Sequence, residues 1–239
     1  TRQLEPHCDR IMVGFEDCRA HYRHPEKVVV TGTPVRGDFF TLTKQQAKEK
    51  LGVNDGRKLI VSFWGSLGSG TMNRAMADFL ALESAKEPFH HIHGVGEICW
   101  QSMQQWLSDD GVDLSAHPAL EVREYIYDMA AVMRAADLVI CRAGASTLSE
   151  LTALGVPAIL VPSPNVTNHH QEKNAALLGD HGAALVLAEE GLDGKKLFAA
   201  AAGLLKDDDR LTKMAESMSQ LGIRDATERI YNTVMALVK

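Results

Sequence analysis

Short apolar runs alternate with longer amphipathic stretches along most of the chain. Apolar runs bounded by turn residues are typical of buried strands, whereas apolar positions three and four apart are typical of helices. The pattern predicts strands at 11–15, 27–30, 58–64, 89–93, 119–123, 137–141, 157–161 and 183–187, and helices at 43–51, 70–85, 97–108, 128–136, 193–205, 207–221 and 224–238. Strands that alternate with helices in this way predict an α/β fold with a Rossmann-like parallel sheet.

Residues 137–174 are the stretch around which the rest is organised. A buried strand, a turn of small residues (RAGAST, 142–147) and a helix lead to a second strand, a polar loop and another helix. Two strands joined by one helix predict a parallel βαβ unit. The turn lies between a strand's carboxyl end and a helix start, where open α/β sheets bind ligands. Backbone amides and the helix dipole favour an anion there, above all a phosphate.

Two side chains of this stretch have more than one interpretation. Glu150 lies one turn into the helix, where it could accept hydrogen bonds from sugar hydroxyls. Thr147 and Glu150 also fit a T-x-x-E capping box, and the residues alone favour that alternative. Arg142 either adds a fixed cation beside the phosphate or is a charge at the end of a strand.

Other polar motifs remain open in the same way. The loop GSLGSG at 65–70 follows a strand and opens a helix, so Gly65 and Ser66 can bring amides and a hydroxyl to a phosphate. Such loops are common in α/β proteins, and this one is neither a Walker A loop nor a dinucleotide fingerprint. Arg36 is a solvated charge or a second cation for a diphosphate. Gln171 and Asn174 lie three residues apart and share a helix face. They either bind sugar hydroxyls or are only polar residues at the start of a helix.

The histidines and acidic runs have simpler explanations than metal chemistry. His91 and His93 share a strand face, which points them to one cleft or one core, and no carboxylate or cysteine completes a ligand set at a recognisable spacing. Asp207, Asp208 and Asp209 fit a helix start, where the dipole favours negative charge. Met214 and Met218 are predicted core residues.

Composition excludes several classes of protein. A net charge of −6 and a pI near 5.9 argue against nucleic-acid binding through bulk charge. The four cysteines show no CxxC spacing, which fits reduced thiols in the cytosol. No apolar run has the length to span a bilayer. The chain begins with Thr1 inside a helix-then-strand pattern, so we expect an N-terminal truncation.

Taken together, the motifs resemble the MurG family of peptidoglycan glycosyltransferases over almost the whole chain. The resemblance is carried by GTPVR at 32–36, GSLG at 65–68, YIYDM at 125–129, RAGAST at 142–147 with Glu150, and NHHQEKN at 168–174. Three positions depart from the family pattern: Trp64 precedes Gly65 in place of a second glycine, Thr33 replaces a common Asn, and Ser69 replaces a common Ala. Trp64 is the largest of these changes.

The resemblance implies a site for UDP-N-acetylglucosamine (UDP-GlcNAc). It places Arg36 and Ser66 at the diphosphate, the Ile126 backbone at uracil, and the helix start at Ala145, Ser146 and Thr147 at the phosphates and sugar. Glu150 then holds the ribose hydroxyls, which reverses the preference for capping. Gln171, with His170, meets the GlcNAc hydroxyls, and Asn174 supports that loop. Gly65 and Arg142 complete the predicted set, with no cofactor and no metal.

The same resemblance implies the C-terminal half of a two-domain GT-B enzyme. Residues 1–33 are then a remnant of the acceptor domain, 34–221 the donor-binding domain, and 222–239 a helix that returns to the first domain. The implied reaction is inverting transfer of GlcNAc to the 4-hydroxyl of N-acetylmuramic acid in lipid I, with the general base in the absent domain. The full-length protein would be cytoplasmic and peripheral on the membrane, which it contacts through that domain. A UDP-sugar 2-epimerase, a donor-binding half that needs a partner chain, and a transferase with another lipid acceptor remain alternatives.

Overall fold

The computed structural model describes residues 2–85 and 88–238, apart from the side chains of Arg2 and Asn168. Over these residues the strands are β1 (Ile11–Val13), β2 (Val28–Val30), β3 (Leu59–Phe63), β4 (His90–Gly94), β5 (Leu120–Arg123), β6 (Leu138–Cys141), β7 (Ala158–Leu160) and β8 (Ala184–Val186). The α-helices are α1 (Lys44–Leu51), α2 (Gly70–Ser84), α3 (Trp100–Asp109), α4 (Met129–Ala135), α5 (Ala145–Leu154), α6 (His170–Asp180), α7 (Gly194–Leu205), α8 (Asp208–Gln220) and α9 (Ala226–Met235).

In the described residues, six strands form one parallel sheet in the order β5-β4-β3-β6-β7-β8. The chain moves outward from β3 through β4 to β5, then returns to β6 beside β3 and moves outward again through β7 to β8. The direction of winding therefore reverses between β3 and β6. The predicted α/β fold with a Rossmann-like parallel sheet is confirmed, and the carboxyl ends of β3 and β6 form a topological switch point.

Both faces of the sheet are covered by helices, as a parallel sheet requires. Alternate residues of β3 enter different cores: Leu59 and Val61 pack with α1, α4 and α5, whereas Ile60 packs with α2 and α7. Met214 and Met218 of α8 are buried, as predicted. Asp207 caps α8 by accepting from the amide of Arg210 at 2.9 Å. The near-continuous apolar strands thus result from burial on both sides.

Helix α1 shows why the local predictions succeed. Thr43 accepts from the backbone of Gln46, and the Gln46 side chain accepts from the backbone of Thr43, which completes the predicted capping box. Gly52 ends the helix in the left-handed conformation at φ 69°, where glycine carries no Cβ penalty. These signals are local in sequence, so they need no tertiary context.

Residues 2–30 include a small two-stranded layer. Strands β1 and β2 pair in parallel and enclose their own apolar cluster of Ile11, Val13 and Val28. The layer meets the rest of the chain at Gly32, where a Cβ would lie 2.8 Å from Ile223. At the other end of the chain, α9 leaves Tyr231, Val234 and Met235 exposed. No helix in the described part of the chain is both long and apolar enough to cross a bilayer.

Candidate functional site

A cavity of about 170 Å³ opens at the carboxyl edge of the sheet. Its walls come from the turns that follow β3, β4 and β5 and from the first turns of α5. Of the residues predicted from the sequence, it is lined by Gly65, Ser66, Ile126, Thr147 and Glu150. These residues are far apart in sequence, and the switch point brings them together. The location agrees with the general rule for ligands of open α/β sheets.

The glycine-rich loop after β3 takes its shape from close backbone packing. Gly65 and Gly68 have φ values of 83° and 82°, in the left-handed region that glycine adopts without strain. A Cβ on Gly68 would lie 2.3 Å from the Val95 carbonyl oxygen, and a Cβ on Gly96 would lie 2.4 Å from the Gly68 nitrogen. The loop therefore lies directly against the end of β4, with Ser66 at the cavity.

The start of α5 decides between the two interpretations of Glu150. Gly144 occupies the N-cap position with φ −71° and ψ 138°, and no side chain caps the helix. Thr147 is already inside the helix, so the expected alternative of a Thr147–Glu150 capping box is wrong. The T-x-x-E pattern is present, but the helix begins three residues earlier than that box requires. The Glu150 carboxylate faces the cavity instead, beside Thr147.

The surroundings of Glu150 disfavour its charged form. Burial raises the pKa of Glu150 above its ordinary value of 4.5, the charge of Arg36 opposes that rise, and the charge of Asp38 adds to it. Arg36 is exposed, lies 3.4 Å from Asp38 and stacks over the Phe39 ring at 5.4 Å. The site thus holds a partly buried carboxylate whose charge is only partly offset by the exposed Arg36. This arrangement suits hydroxyl donors near Glu150 and an anion near Arg36.

Arg142 is held by contacts within the protein. Its guanidinium donates to Glu189 at 2.7 Å, to the Val161 carbonyl at 3.1 Å and to the Ser69 hydroxyl at 3.0 Å. It also lies over the Trp64 ring, with 5.8 Å to the centroid. These contacts hold the Arg142 guanidinium in place, and they link the turn after β6 to the loop after β3. Its role as a ligand contact stays a prediction.

The polar loop after β7 is tied back to the sheet by two amides. Gln171 accepts from the Ser163 backbone at 3.0 Å, and Asn174 donates to the Ala143 carbonyl at 3.0 Å. Asn174 thereby joins α6 to the turn that starts α5, and its predicted support of the loop at Gln171 stays a prediction. His170 is exposed and contacts the Thr167 carbonyl at 2.9 Å. The side chain of Asn168, in the NHHQEKN motif, is not among those that the structure describes.

The strand histidines belong to the core and not to the cavity. Ser62 Oγ lies 2.7 Å from His91 Nε2, and His91 Nδ1 lies 2.6 Å from Glu83. Serine, histidine and carboxylate in this order resemble a hydrolytic triad, but all three side chains are buried and Ser62 is fully inaccessible to a substrate. Ser62 Oγ also contacts His93 Nδ1 at 2.7 Å. Among the described residues, no cluster has the composition and geometry of a metal site.

Sequence reasoning did not include every residue of the cavity wall. Glu124, Tyr125 and Met129 line it beside Ile126. Tyr125 is 47% exposed and packs on Tyr127, with 4.9 Å between ring centroids. The available signal was positional, because these residues directly follow β5 and the carboxyl ends of parallel strands share one edge.

Comparison with known proteins gives a consistent result. Residues 59–230 match the glycosyltransferase family 28 C-terminal domain. The chain is 38% identical, over 99% of its length, to the UDP-N-acetylglucosamine–N-acetylmuramyl-(pentapeptide) pyrophosphoryl-undecaprenol N-acetylglucosamine transferase of Acetivibrio thermocellus, of which it spans 63%. The crystal structure of Acinetobacter baumannii MurG is similar, with a TM-score of 0.75, 26% identity and coverage of 98% of this chain and 63% of that one.

A more distant structure shares the fold alone. The UDP-GlcNAc 2-epimerase of Neisseria meningitidis, solved bound to UDP-GlcNAc, aligns with a TM-score of 0.65 at 16% identity, over 98% of this chain and 63% of that one. The family match and the curated relative are more specific, because they rest on sequence similarity, with 38% identity to the relative against 16% to the epimerase. The chain therefore belongs to glycosyltransferase family 28 and carries the C-terminal domain of that family.

Proposed function

We propose that this chain is the donor-binding part of an inverting glycosyltransferase that moves GlcNAc from UDP-GlcNAc to the 4-hydroxyl of N-acetylmuramic acid in lipid I, giving lipid II for peptidoglycan synthesis. The observation that carries the proposal is one cavity at the switch point shared by Ser66, Ile126, Thr147 and Glu150. The name of the relative from A. thermocellus supports the donor and the acceptor, and the A. baumannii structure supports the fold that carries the site.

Each part of the donor has a matching group in the site. The uracil lies against the Ile126 backbone, and the ribose hydroxyls donate to Glu150. The diphosphate meets Ser66, the amides of the loop at Gly65 and the uncapped start of α5 at Ala145–Thr147, with Arg36 at the rim. The GlcNAc hydroxyls approach Gln171 and His170 at the start of α6.

The chemistry assigned to these groups is stabilisation of the leaving group. When the acceptor oxygen attacks the anomeric carbon, the bond to UDP breaks and the diphosphate gains negative charge. Preorganised amides, a helix N-terminus and Arg36 oppose that charge, and a donor set of this kind lowers a barrier by about 3–4 kcal/mol per well-placed group. The base that removes the acceptor proton comes from the part of the protein that precedes this chain.

Domain organisation follows from the same proposal. The chain spans 63% of its curated relative, and we infer that residues 1–33 end the acceptor domain, 34–221 bind the donor, and 222–239 return to the acceptor domain. The exposed apolar side chains of α9 fit such a contact. Contact with lipid I and with the cytoplasmic membrane surface then takes place through the acceptor domain.

Calorimetry with UDP-GlcNAc and a transfer assay with a lipid I analogue test this function. We expect this chain to bind the donor without transferring GlcNAc, and the longer protein to do both. Conversion of UDP-GlcNAc to its 2-epimer by the longer protein would instead support the epimerase alternative. Absence of donor binding by both proteins would refute the assignment.

A further inference from the structure

A continuous series of buried polar side chains runs beneath the glycine-rich loop. It starts at Glu83 near the end of α2, crosses β4 and β3, and ends at the backbone of the turn after β4. The successive contacts are Glu83–His91 at 2.6 Å, His91–Ser62 at 2.7 Å, Ser62–His93 at 2.7 Å, His93–Asn73 at 3.1 Å and Asn73–Val95 carbonyl at 2.9 Å. All five side chains are buried.

The proton positions can be assigned from one end of this series. The Val95 carbonyl can only accept, so the Asn73 atom that faces it must be the amide nitrogen. Asn73 Oδ1 therefore faces His93 Nε2 and accepts a hydrogen bond from its N–H. Burial, and then the charge of His91, lower the pKa of His93 to about 3, although a hydrogen bond that the charged ring would donate to the Ser62 carbonyl opposes that shift, so the ring is neutral. Its single proton is the one on Nε2 that faces Asn73, which leaves Nδ1 without a proton. The Ser62 carbonyl, 3.2 Å from Nδ1, consequently receives no hydrogen bond from it.

The assignment continues to the other end without a free choice. Because His93 Nδ1 is an acceptor, the Ser62 hydroxyl donates to it. The Ser62 oxygen then accepts from His91 Nε2–H, and a single proton lies between His91 Nδ1 and Glu83 Oε2. Every hydrogen bond from His91 to Val95 thus points in one direction, towards the loop.

The far end of the series touches the backbone that shapes the candidate diphosphate loop. Asn73 lies in the first turn of α2, and its amide nitrogen is 3.2 Å from where a Cβ on Gly68 would be. The Val95 carbonyl that it binds is the same atom that excludes a side chain from Gly68. Gly96, the next residue, packs on the Gly68 nitrogen. A turn of the Asn73 amide would therefore place its oxygen against the Val95 carbonyl and displace the loop.

We propose that Asn73 and His93 are positioning residues for the diphosphate of the donor, held in one orientation by the directed hydrogen bonds that begin at His91. This inference rests on the proposed function, since it assigns the loop at Gly65–Gly68 to the diphosphate. Neither residue touches the ligand. They act by fixing the Val95 carbonyl and, through it, the path of the loop.

Nitrogen-15 NMR of the histidine rings tests the assignment without a ligand. We expect His93 to carry its proton on Nε2 and to stay neutral from about pH 5 to 8, a range in which an ordinary histidine titrates. A proton on Nδ1, or a charged His93 ring in that range, would overturn the inference whether or not the chain binds UDP.

Ser62→Ala tests whether the orientation matters for binding. Without the hydroxyl, His93 Nδ1 loses its donor, and the carbonyl of residue 62, 3.2 Å away, can accept a hydrogen bond from it only if the ring proton moves to Nδ1. Nε2 then becomes an acceptor, and the Asn73 amide has to turn to donate to it, against the preference of the Val95 carbonyl. We expect the tautomer to change and UDP affinity to fall roughly tenfold, with uridine affinity unchanged because uridine lacks the diphosphate. Thr152→Val removes another buried hydroxyl and should do neither.

Asn73→Asp removes the amide donor directly and should weaken UDP at least as much. If that variant fails to fold, Ser62→Ala and the ring spectra still decide. Wild-type UDP affinity in folded Ser62→Ala, or equal losses for UDP and uridine, would refute a positioning role. Failure of the unmodified chain to bind UDP would instead count against the proposed function.

Discussion

Replacing Glu150 with Gln should stabilise the free protein and weaken donor binding at the same time. The carboxylate is partly buried, and burial raises its pKa above 4.5 despite the opposing charge of Arg36. A raised pKa means that the folded protein holds the proton more tightly than the unfolded chain. Stability is therefore lost as the pH rises from about 4.5 through the raised pKa, and the loss persists at neutral pH. The neutral amide in Glu150→Gln removes this loss.

Binding should change in the opposite direction. If Glu150 accepts hydrogen bonds from the ribose hydroxyls, the neutral amide loses a charged acceptor worth about 1.5–3 kcal/mol. That range corresponds to a Kd for UDP that is roughly 10-fold to 150-fold higher. The larger value applies if water is excluded from the cavity when the nucleotide binds.

A cycle that pairs the substitution with a change in the ligand isolates the ribose contact. Calorimetry would compare UDP and 2′,3′-dideoxy-UDP on the wild type and on Glu150→Gln. We expect the substitution to matter for UDP and to have little effect for the dideoxy ligand, so that the two changes are strongly non-additive. Equal losses for both ligands, or unchanged UDP affinity, would refute the ribose assignment. Urea unfolding at pH 4 and pH 7 checks the stability component, and equal stability of both proteins at pH 7 would contradict the burial argument.

The remaining predictions concern the loop, the partly buried ion pairs of Asp137 and metals. Gly65→Ala should cost about 1–2 kcal/mol of unfolding free energy because of its positive φ alone. Gly68→Ala should cost clearly more, because its Cβ would also collide with the Val95 carbonyl oxygen. Equal losses for the two variants in urea unfolding would argue against the close approach of the loop to Val95. Burial tends to raise the pKa of Asp137, but ion pairs with two lysines of α1 lower it overall. The stabilising contribution of Asp137 should therefore be present above about pH 4 and disappear as the pH falls through the lowered pKa. Asp137→Asn should show a flatter acid limb in thermal unfolding between pH 2 and 5, and an unchanged limb would contradict the assignment. Finally, UDP affinity should be the same with and without EDTA, and a loss on chelation would show that binding requires a metal.

The sequence predicted turns that line one cavity because its signals are local and fall at the ends of strands. GSLGSG and RAGAST each follow an apolar run and precede a helix, and parallel strands bring such turns to one edge. Glu150 was harder, because T-x-x-E satisfies the pattern of a capping box whether or not a helix begins there. Gly144 takes the N-cap position instead, and only the backbone conformation distinguishes the two cases.

Contacts between distant residues could not be predicted in the same way. Arg142 pairs with Glu189, 47 residues further on, and either partner alone is an ordinary charge. The hydrogen bond between His93 and Asn73 joins a strand to a helix that precedes it in sequence. The spacing of His91 and His93 allowed a core or a cleft, and the structure places both in the core. Local periodicity predicts helices and strands but not which of them pack together, because that depends on the order of the strands in the sheet.

The uncapped start of α5 has a consequence for the lifetime of the protein in a cell. Ligand that binds only the folded chain adds about 2.7 kcal/mol to its stability at a concentration of 100 times Kd. If UDP-GlcNAc supplies the acceptor atoms that Gly144 cannot, then a cell depleted of nucleotide sugar holds a less stable protein that proteases degrade sooner. Enzyme abundance would then follow the supply of the sugar donor without any separate regulator.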